Sequence, residues 1–241
     1  MKPPGTLLST AENKIIMTKH DQKYSTEELA ELFDNHMGSA IDTPLRSDAF
    51  DLSDEEKITQ IASKFEDIMT ILGLDLNDDS LRGTPLRVAK MYASEAFAGL
   101  NPKNKPEMKL FDNKYQYRDM LIEKNITVHS HCEHHFVPII GKAHIAYISA
   151  GKVIGLSKLN RIVQYFAQRP QVQERLNIQI AEAIAFITGS NDVAVIIDAK
   201  HTCVSQRGIK DTTSNTRTLS ALGRFGEPDG HLRREFLANI G

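Results

Sequence analysis

The sequence predicts an α+β protein with an antiparallel sheet. Apolar residues recur at helical spacing in the stretch 53–100 and again over 157–188. Residues 121–155 and 193–199 instead carry β-branched and aromatic runs of strand type. Helices and strands are therefore segregated along the chain, which argues against an alternating parallel sheet. A length of 241 residues allows one large domain or two small ones. With 41% hydrophobic and 25% charged residues, the chain can form a normal core without disulfide staples.

Residues 1–52 read as a polar N-terminal extension, partly helical, with Pro3-Pro4-Gly5 at the start and a break at Gly38-Ser39. Ser25 and Glu28 have capping-box spacing ahead of Leu29, Leu32 and Phe33, which predicts a short helix over Thr26–His36. The main domain reads as 53–241, helical over 53–100 and sheet-bearing over 115–241. Ser53 and Glu56 form a second capping box. Ile58, Ile61, Ala62, Phe65, Ile68, Met69 and Leu72 follow at helical spacing, and Gly73 stops the helix. Thr84 as N-cap and Pro85 in the first turn open a helix expected to run through Val88, Met91 and Tyr92 to Gly99. Leu121–Val128 and Ala143–Ser149 read as strands with a turn at Gly141-Lys142, and Val153–Gly155 continues that character. Ser157 is expected to cap a helix over Lys158–Gln168, which Arg169-Pro170 breaks. Gln171–Thr188 is the next helix, ended by Gly189. Val193–Ala199 is a buried strand leading into His201-Thr202-Cys203-Val204.

Net charge is −2, from 29 basic and 31 acidic side chains, so no nucleic-acid surface is indicated. No apolar run approaches the roughly 20 residues of a membrane span. Residues Met1 to Lys19 lack the apolar core of a secretory signal, so a cytoplasmic location is expected. Two cysteines are too few for a disulfide scaffold; a lone Cys132–Cys203 bridge is the competing reading.

Both cysteines stand beside histidines. In Cys132-Glu133-His134-His135, positions i and i+3 of a tight turn can reach one ion. His201 and Cys203, two apart on a strand, share a face. Two thiolates and an imidazole suit zinc, and three protein ligands leave a fourth position for water, as in catalytic sites. Spacing leaves open whether His134 or His135 is the ligand. It also leaves open a structural site with His201 as fourth ligand. P-loop and Rossmann motifs are absent, so a phosphate would fall to side chains such as Arg87, Lys158, Arg161 and Arg207. Lys158 and Arg161 share a helix face near its positive end, where a solvated surface is the plainer explanation. Glu174, after Gln173 in a first turn, complements a helix dipole; facing a pocket, it could accept from a ring N–H and an amino group, as guanine presents.

The motifs together resemble GTP cyclohydrolase I of the zinc-dependent type. The match runs from Leu74-Asp75-Leu76 to Arg234-Glu235-Phe236-Leu237. It includes Thr84-Pro85-x-Arg87-Val88-Ala89-Lys90-Met91-Tyr92, Cys132-Glu133-His134-His135-Phe136 and Gly155-Leu156-Ser157-Lys158-Leu159-Asn160-Arg161. Gln168 to Leu176 and His201-x-Cys203-x-x-x-Arg207-Gly208 continue it. The resemblance implies conversion of GTP and water to 7,8-dihydroneopterin triphosphate and formate, the first step of tetrahydrofolate and pterin biosynthesis. It places one zinc per subunit on Cys132, His135 and Cys203, with activated water attacking guanine C8. It makes His134 and His201 the proton carriers, with Ser157 near the ribose. It puts guanine on Glu174 with Gln173 beside it, and the triphosphate on Arg87, Lys158, Arg161 and Arg207. It further implies a tunnelling fold: an antiparallel sheet with helices on one side, and sheets joined between subunits into a barrel. The expected assembly is a homodecamer with active sites at subunit interfaces and Arg87 supplied by a neighbour. A nucleobase deaminase is a poor rival, because its His-x-Glu and Pro-Cys-x-x-Cys pattern is missing. A non-catalytic zinc- and nucleotide-binding module is the other, and the presence of His134, His201 and Glu174 argues against it.

Overall fold

A computed structural model describes residues 42–241, which lie within the unit Ala40–Gly241. The helix expected over 26–36 falls outside the described residues. Helix α1 (Asp54–Ile71) starts as its sequence requires. The Glu56 amide donates to Ser53 Oγ at 3.2 Å and the Ser53 amide donates to Glu56 Oε2 at 2.8 Å. Gly73, at φ +83°, turns the chain away beyond the C-cap Leu72.

Helix α2 (Thr84–Met91) begins one residue earlier than its sequence suggested. Gly83 is the N-cap and Thr84 is already helical, because the Arg87 amide donates to Gly83 O at 3.2 Å. The expected continuation to Gly99 breaks into a π turn (Tyr92–Ala96) and a 3₁₀ turn (Ala98–Leu100). Gly99 explains the break. Its amide donates to Gln168 O at 2.9 Å, and a β-carbon there would stand 2.0 Å from Tyr165 O. The backbone must therefore pass hard against another segment, which a straight helix cannot do.

Two short strands, β1 (Leu110–Asp112) and β4 (Lys152–Ile154), pair antiparallel. The main sheet contains β2 (Met120–Cys132), β3 (Pro138–Ile148), β5 (Pro170–Gln171), β6 (Val193–His201) and β7 (Thr216–Ala221), in the order β5-β2-β3-β6-β7. All neighbours are antiparallel except β5, which runs parallel to β2. The turn placed at Gly141-Lys142 is not there. Both residues lie inside β3, with Gly141 opposite Val128 and Ala199. A β-carbon on Gly141 would meet Asp198 O at 2.1 Å, so this glycine serves a close strand approach instead of a reversal. The true reversal lies between Cys132 and Pro138. A register shift between Glu123 and Ile126 kinks β2, and Asn125 there adopts φ +60°, which asparagine tolerates.

Helix α3 (Leu156–Ala167) takes Gly155 as N-cap, and Ser157 sits inside it without a capping bond. The Lys158 amide already donates to Gly155 O at 2.7 Å, so the helix has begun before Ser157 can cap it. Helix α4 (Gln173–Thr188) starts two residues later than expected, because Gln171 is drawn into β5 and Val172 stays extended as the N-cap. A one-turn helix, α5 (Thr202–Ser205), follows β6, and α6 (His231–Ile240) closes the chain.

Strand alternation sends side chains to two cores. Ile145, Tyr147, Val193, Val195 and Ile197 pack with Leu159, Ile162, Leu176, Ile180 and Ile184 of α3 and α4. Ala146, Ile148, Ala194 and Ile196 face the other way, onto Phe225 and Phe236. Helices are thus not confined to one side of the sheet, since Phe236 of α6 closes the second face. Each fully buried Ile or Leu contributes roughly 1.5–3 kcal/mol through removal from water. The sheet is therefore packed on both faces, and the β2–β3 reversal holds the Cys-Glu-His-His-Phe motif.

Candidate active site

The reversal between β2 and β3 is built from the Cys-Glu-His-His-Phe motif. The Cys132 amide donates to Val137 O at 2.9 Å, and the Phe136 amide donates to Cys132 O at 2.8 Å. Phe136 closes the turn at φ +53°, a conformation costly for a residue with a side chain. Its ring offsets that cost by packing against Phe97, centroids 4.9 Å apart, in a cluster with Tyr92. The Glu133 amide donates to Gln171 O at 3.0 Å, so the parallel strand β5 pins the turn from its other side.

Cys203 reaches this turn by a different route from the one its spacing suggested. His201 ends β6 and Cys203 lies in the helical turn α5, so the two do not share a strand face. Thr202 fastens that turn by donating from Oγ1 to Pro138 O at 2.6 Å. The ligand atoms of Cys132, His135 and Cys203 all lie within 4.8 Å of one another. Cys132 Sγ stands 3.7 Å from His134 Nδ1 and 3.8 Å from His135 Nδ1, but the group that converges with Cys203 contains His135. Neither cysteine is bridged.

This group fits a transition metal. Burial pushes the Cys203 thiol well above its ordinary range, and the neighbouring Cys132 adds to the effect. The Cys203 thiol therefore stays protonated unless a cation compensates it. A soft divalent ion such as zinc does so with these donor types.

Around the group stand other residues singled out in the sequence. Arg207 Nη1 lies 2.9 Å from His135 Nε2, and Arg207 is exposed. His201 is half-buried, and its Nε2 lies 2.7 Å from Gln173 Oε1. Burial lowers the His201 pKa below the ordinary imidazole value, and the nearby Glu174 carboxylate partly opposes this. Glu174 itself is exposed, whereas Gln173 is buried. Ser157, Lys158 and Arg161 gather on the first turns of α3 as a second cluster, away from the hairpin turn in sequence. Arg87 is not brought to the metal group. Its guanidinium turns back on its own helix start, donating to Ser80 O at 3.0 Å and Thr84 Oγ1 at 3.1 Å. A cavity of about 700 Å³ is lined by Ile162, Tyr165, Phe166 and Arg169 among others, and by none of these site residues.

Spacing missed one feature of the site. Arg175, with 3% of its side chain exposed, pairs with Glu133 and also donates to Gln171 Oε1 at 2.9 Å and Pro170 O at 2.9 Å. This ties α4 to the residue between the candidate ligand Cys132 and His134. The signal was present as a lone arginine followed by Leu176 and Ile180, where a solvated position was not available.

A convergent Cys-His-Cys group at the end of an antiparallel sheet, flanked by histidines and an arginine, defines a class: an α+β protein with a candidate metal-binding catalytic centre. Sequence comparison agrees. The family profile described as GTP cyclohydrolase I matches residues 61–241. A protein named GTP cyclohydrolase 1 from Flavobacterium johnsoniae is 57% identical over 212 residues, covering 88% of this chain and 94% of its own. Proteins of the same name from Salmonella arizonae and Salmonella newport are 50% identical over 215 residues, covering 89% of this chain and 96% of theirs. The chain belongs to the GTP cyclohydrolase I family.

Proposed function

We propose that the protein converts GTP and water to 7,8-dihydroneopterin triphosphate and formate, the entry step to folate-type pterins. One observation carries this reading: a member of this family also gathers Cys132, His135 and Cys203 within 4.8 Å, beside His134 and His201. Those three residues would hold one zinc ion, which supplies Lewis acidity that makes water a competent nucleophile near neutral pH.

The remaining roles fall to the chain's own groups. Burial keeps His201 neutral at pH 7, ready to accept a proton. His134, exposed beside Cys132, is the second proton carrier. The exposed Glu174 carboxylate accepts from the guanine ring N–H and amino group. Arg207, Lys158 and Arg161 neutralise the triphosphate, and Ser157 lies toward the ribose.

Assembly completes the site in this reading. Arg87 serves a neighbouring subunit's triphosphate, in keeping with its distance from its own metal group. The expected homodecamer, with sheets joined between subunits into a barrel, accounts for apolar side chains left in water. Phe186, Ile71 and Ile209 are 87%, 83% and 82% exposed. The catalytic domain is taken as 53–241, opening at the Ser53 cap. No helix among the described residues is long and apolar enough to cross a membrane, and the reaction proposed belongs in the cytoplasm.

The test is formate release from GTP by zinc-loaded protein, expected to contain about one zinc per chain. Formate appearing in step with GTP loss supports the reading. GTP bound but left intact, with zinc present, makes the protein a binding module instead.

A further inference from the structure

We infer that Gln173 is a positioning residue, fixing His201 as the tautomer with its proton on Nε2, and not a contact to the substrate's base. The inference depends on the reading above for the role of His201, but its central observable does not.

Gln173 is the first residue of α4 and is only 2% exposed. Its amide is held by two strands. Nε2 donates to Ile197 O of β6 at 2.9 Å, to Thr216 O of β7 at 3.0 Å and to Thr218 Oγ1 at 3.1 Å. Two of these partners are backbone carbonyls, which can only accept. The NH₂ end of the amide must therefore face them. The opposite rotamer would set three oxygens against one another. Asn177 strengthens the arrangement by donating from Nδ2 to Thr218 Oγ1 at 2.9 Å, which holds that hydroxyl in place.

With the NH₂ end committed, the carbonyl end meets His201 Nε2 at 2.7 Å. An amide oxygen cannot donate, so the bond forms only if Nε2 carries the hydrogen. The tautomer follows from carbonyl positions alone. In the neutral ring Nδ1 then keeps the lone pair and is the atom that accepts a proton during the reaction. Both ends of Gln173 are engaged inside the chain, and at 2% exposure the side chain is withdrawn from a base bound at the surface. The next residue, Glu174, is exposed and remains free for that task.

The experiment uses zinc-loaded full-length protein with ¹⁵N-labelled histidine, in which the His201 signal is identified by its loss in His201→Asn. The expected spectrum of the neutral ring shows a protonated Nε2 and a bare Nδ1; a proton on Nδ1 overturns the inference. Gln173→Leu should erase the tautomer preference and lower kcat for formate release by about 100-fold. KM for GTP should stay within about twofold, since no substrate contact is lost. A rise in KM with kcat unchanged would instead assign Gln173 to the substrate and sink the proposal. If Gln173→Leu fails to fold, the wild-type spectrum decides. If wild-type protein releases no formate, the functional reading fails while that spectrum still tests the tautomer.

Discussion

Cys203 Sγ lies within 4.8 Å of Cys132 Sγ and His134 Nδ1 lies 3.7 Å from it, yet the two residues are expected to fail differently. Cys203→Ser removes a convergent donor and should lose both bound metal and formate release. His134→Ala should keep the metal and lose turnover, as read by metal content beside the activity assay; metal loss there would exchange the roles of the two adjacent histidines. Glu133 has a structural task between them. Removing it as Glu133→Ala takes the paired carboxylate from the buried Arg175 guanidinium, and loss of one partner of a buried ion pair costs about 3 kcal/mol. A thermal midpoint unchanged by that substitution would show that the pair is dispensable. At this scale the sequence was most informative about residue types: thiols and imidazoles with ligand spacing were readable directly. It could not separate His134 from His135, since that choice depends on how the turn at Phe136 aims each ring. The burial of Gln173 and Arg175 was not legible, because burial of a polar side chain depends on strands distant in sequence.

Elements were legible wherever a local signal set them. The Ser53 cap and the Gly73 and Gly189 stops all act within a turn of the chain, and each stands where expected. Glycines serving close approach were misread as punctuation. In sequence Gly141 reads as a turn and Gly99 as a helix end, while in the structure both make room for backbone from elsewhere. Gly99→Ala is accordingly expected to destabilise the fold by about 1–3 kcal/mol through overpacking against Tyr165 O and Gln168 O, against about 1 kcal/mol for Ser53→Ala at an exposed cap. Thermal denaturation of the two variants checks the order; the reverse ranking would mean that the contact at Gly99 relaxes freely. The one-turn helix α5 was also hidden. Four residues carry too little pattern to tell a helical turn from the end of a strand, so Cys203 arrived at the metal group by an unforeseen path.

For the molecule as a whole, two cores pack on opposite sheet faces, and histidines whose pKa burial lowers make its stability depend on pH, His144 among them. His144 is 5% exposed, with Asp198 at 4.0 Å and no hydrogen-bond partner at Nδ1 among the described residues. Burial lowers its pKa, an effect that Asp198 opposes and that Arg217, Lys142 and Lys124 reinforce. A depressed folded-state value means that the unfolded chain takes up the proton first. Stability is thus complete above the unfolded imidazole value of about 6.5 and declines as pH falls through the folded value. His144→Phe should show a smaller drop in thermal midpoint between about pH 7 and about pH 5.5 than the wild type; equal drops would place the dependence elsewhere. The segregated α+β layout was legible from the order of helical and strand-type runs, but the second core was not, because Phe225 and Phe236 meet the sheet only after the whole chain has closed. The same distance along the chain bears on the order of assembly. Cys132 and His135 come together as soon as one hairpin turn forms, whereas Cys203 joins them only when β6 has zipped against β3. During refolding, tight metal capture should therefore lag behind sheet formation, and a probe of ion uptake should report the last long-range pairing instead of the first collapse. Capture as fast as hairpin closure would mean that two ligands suffice. Where capture does lag, the ion is a timekeeper for the fold, held from the moment the non-local strands are in register.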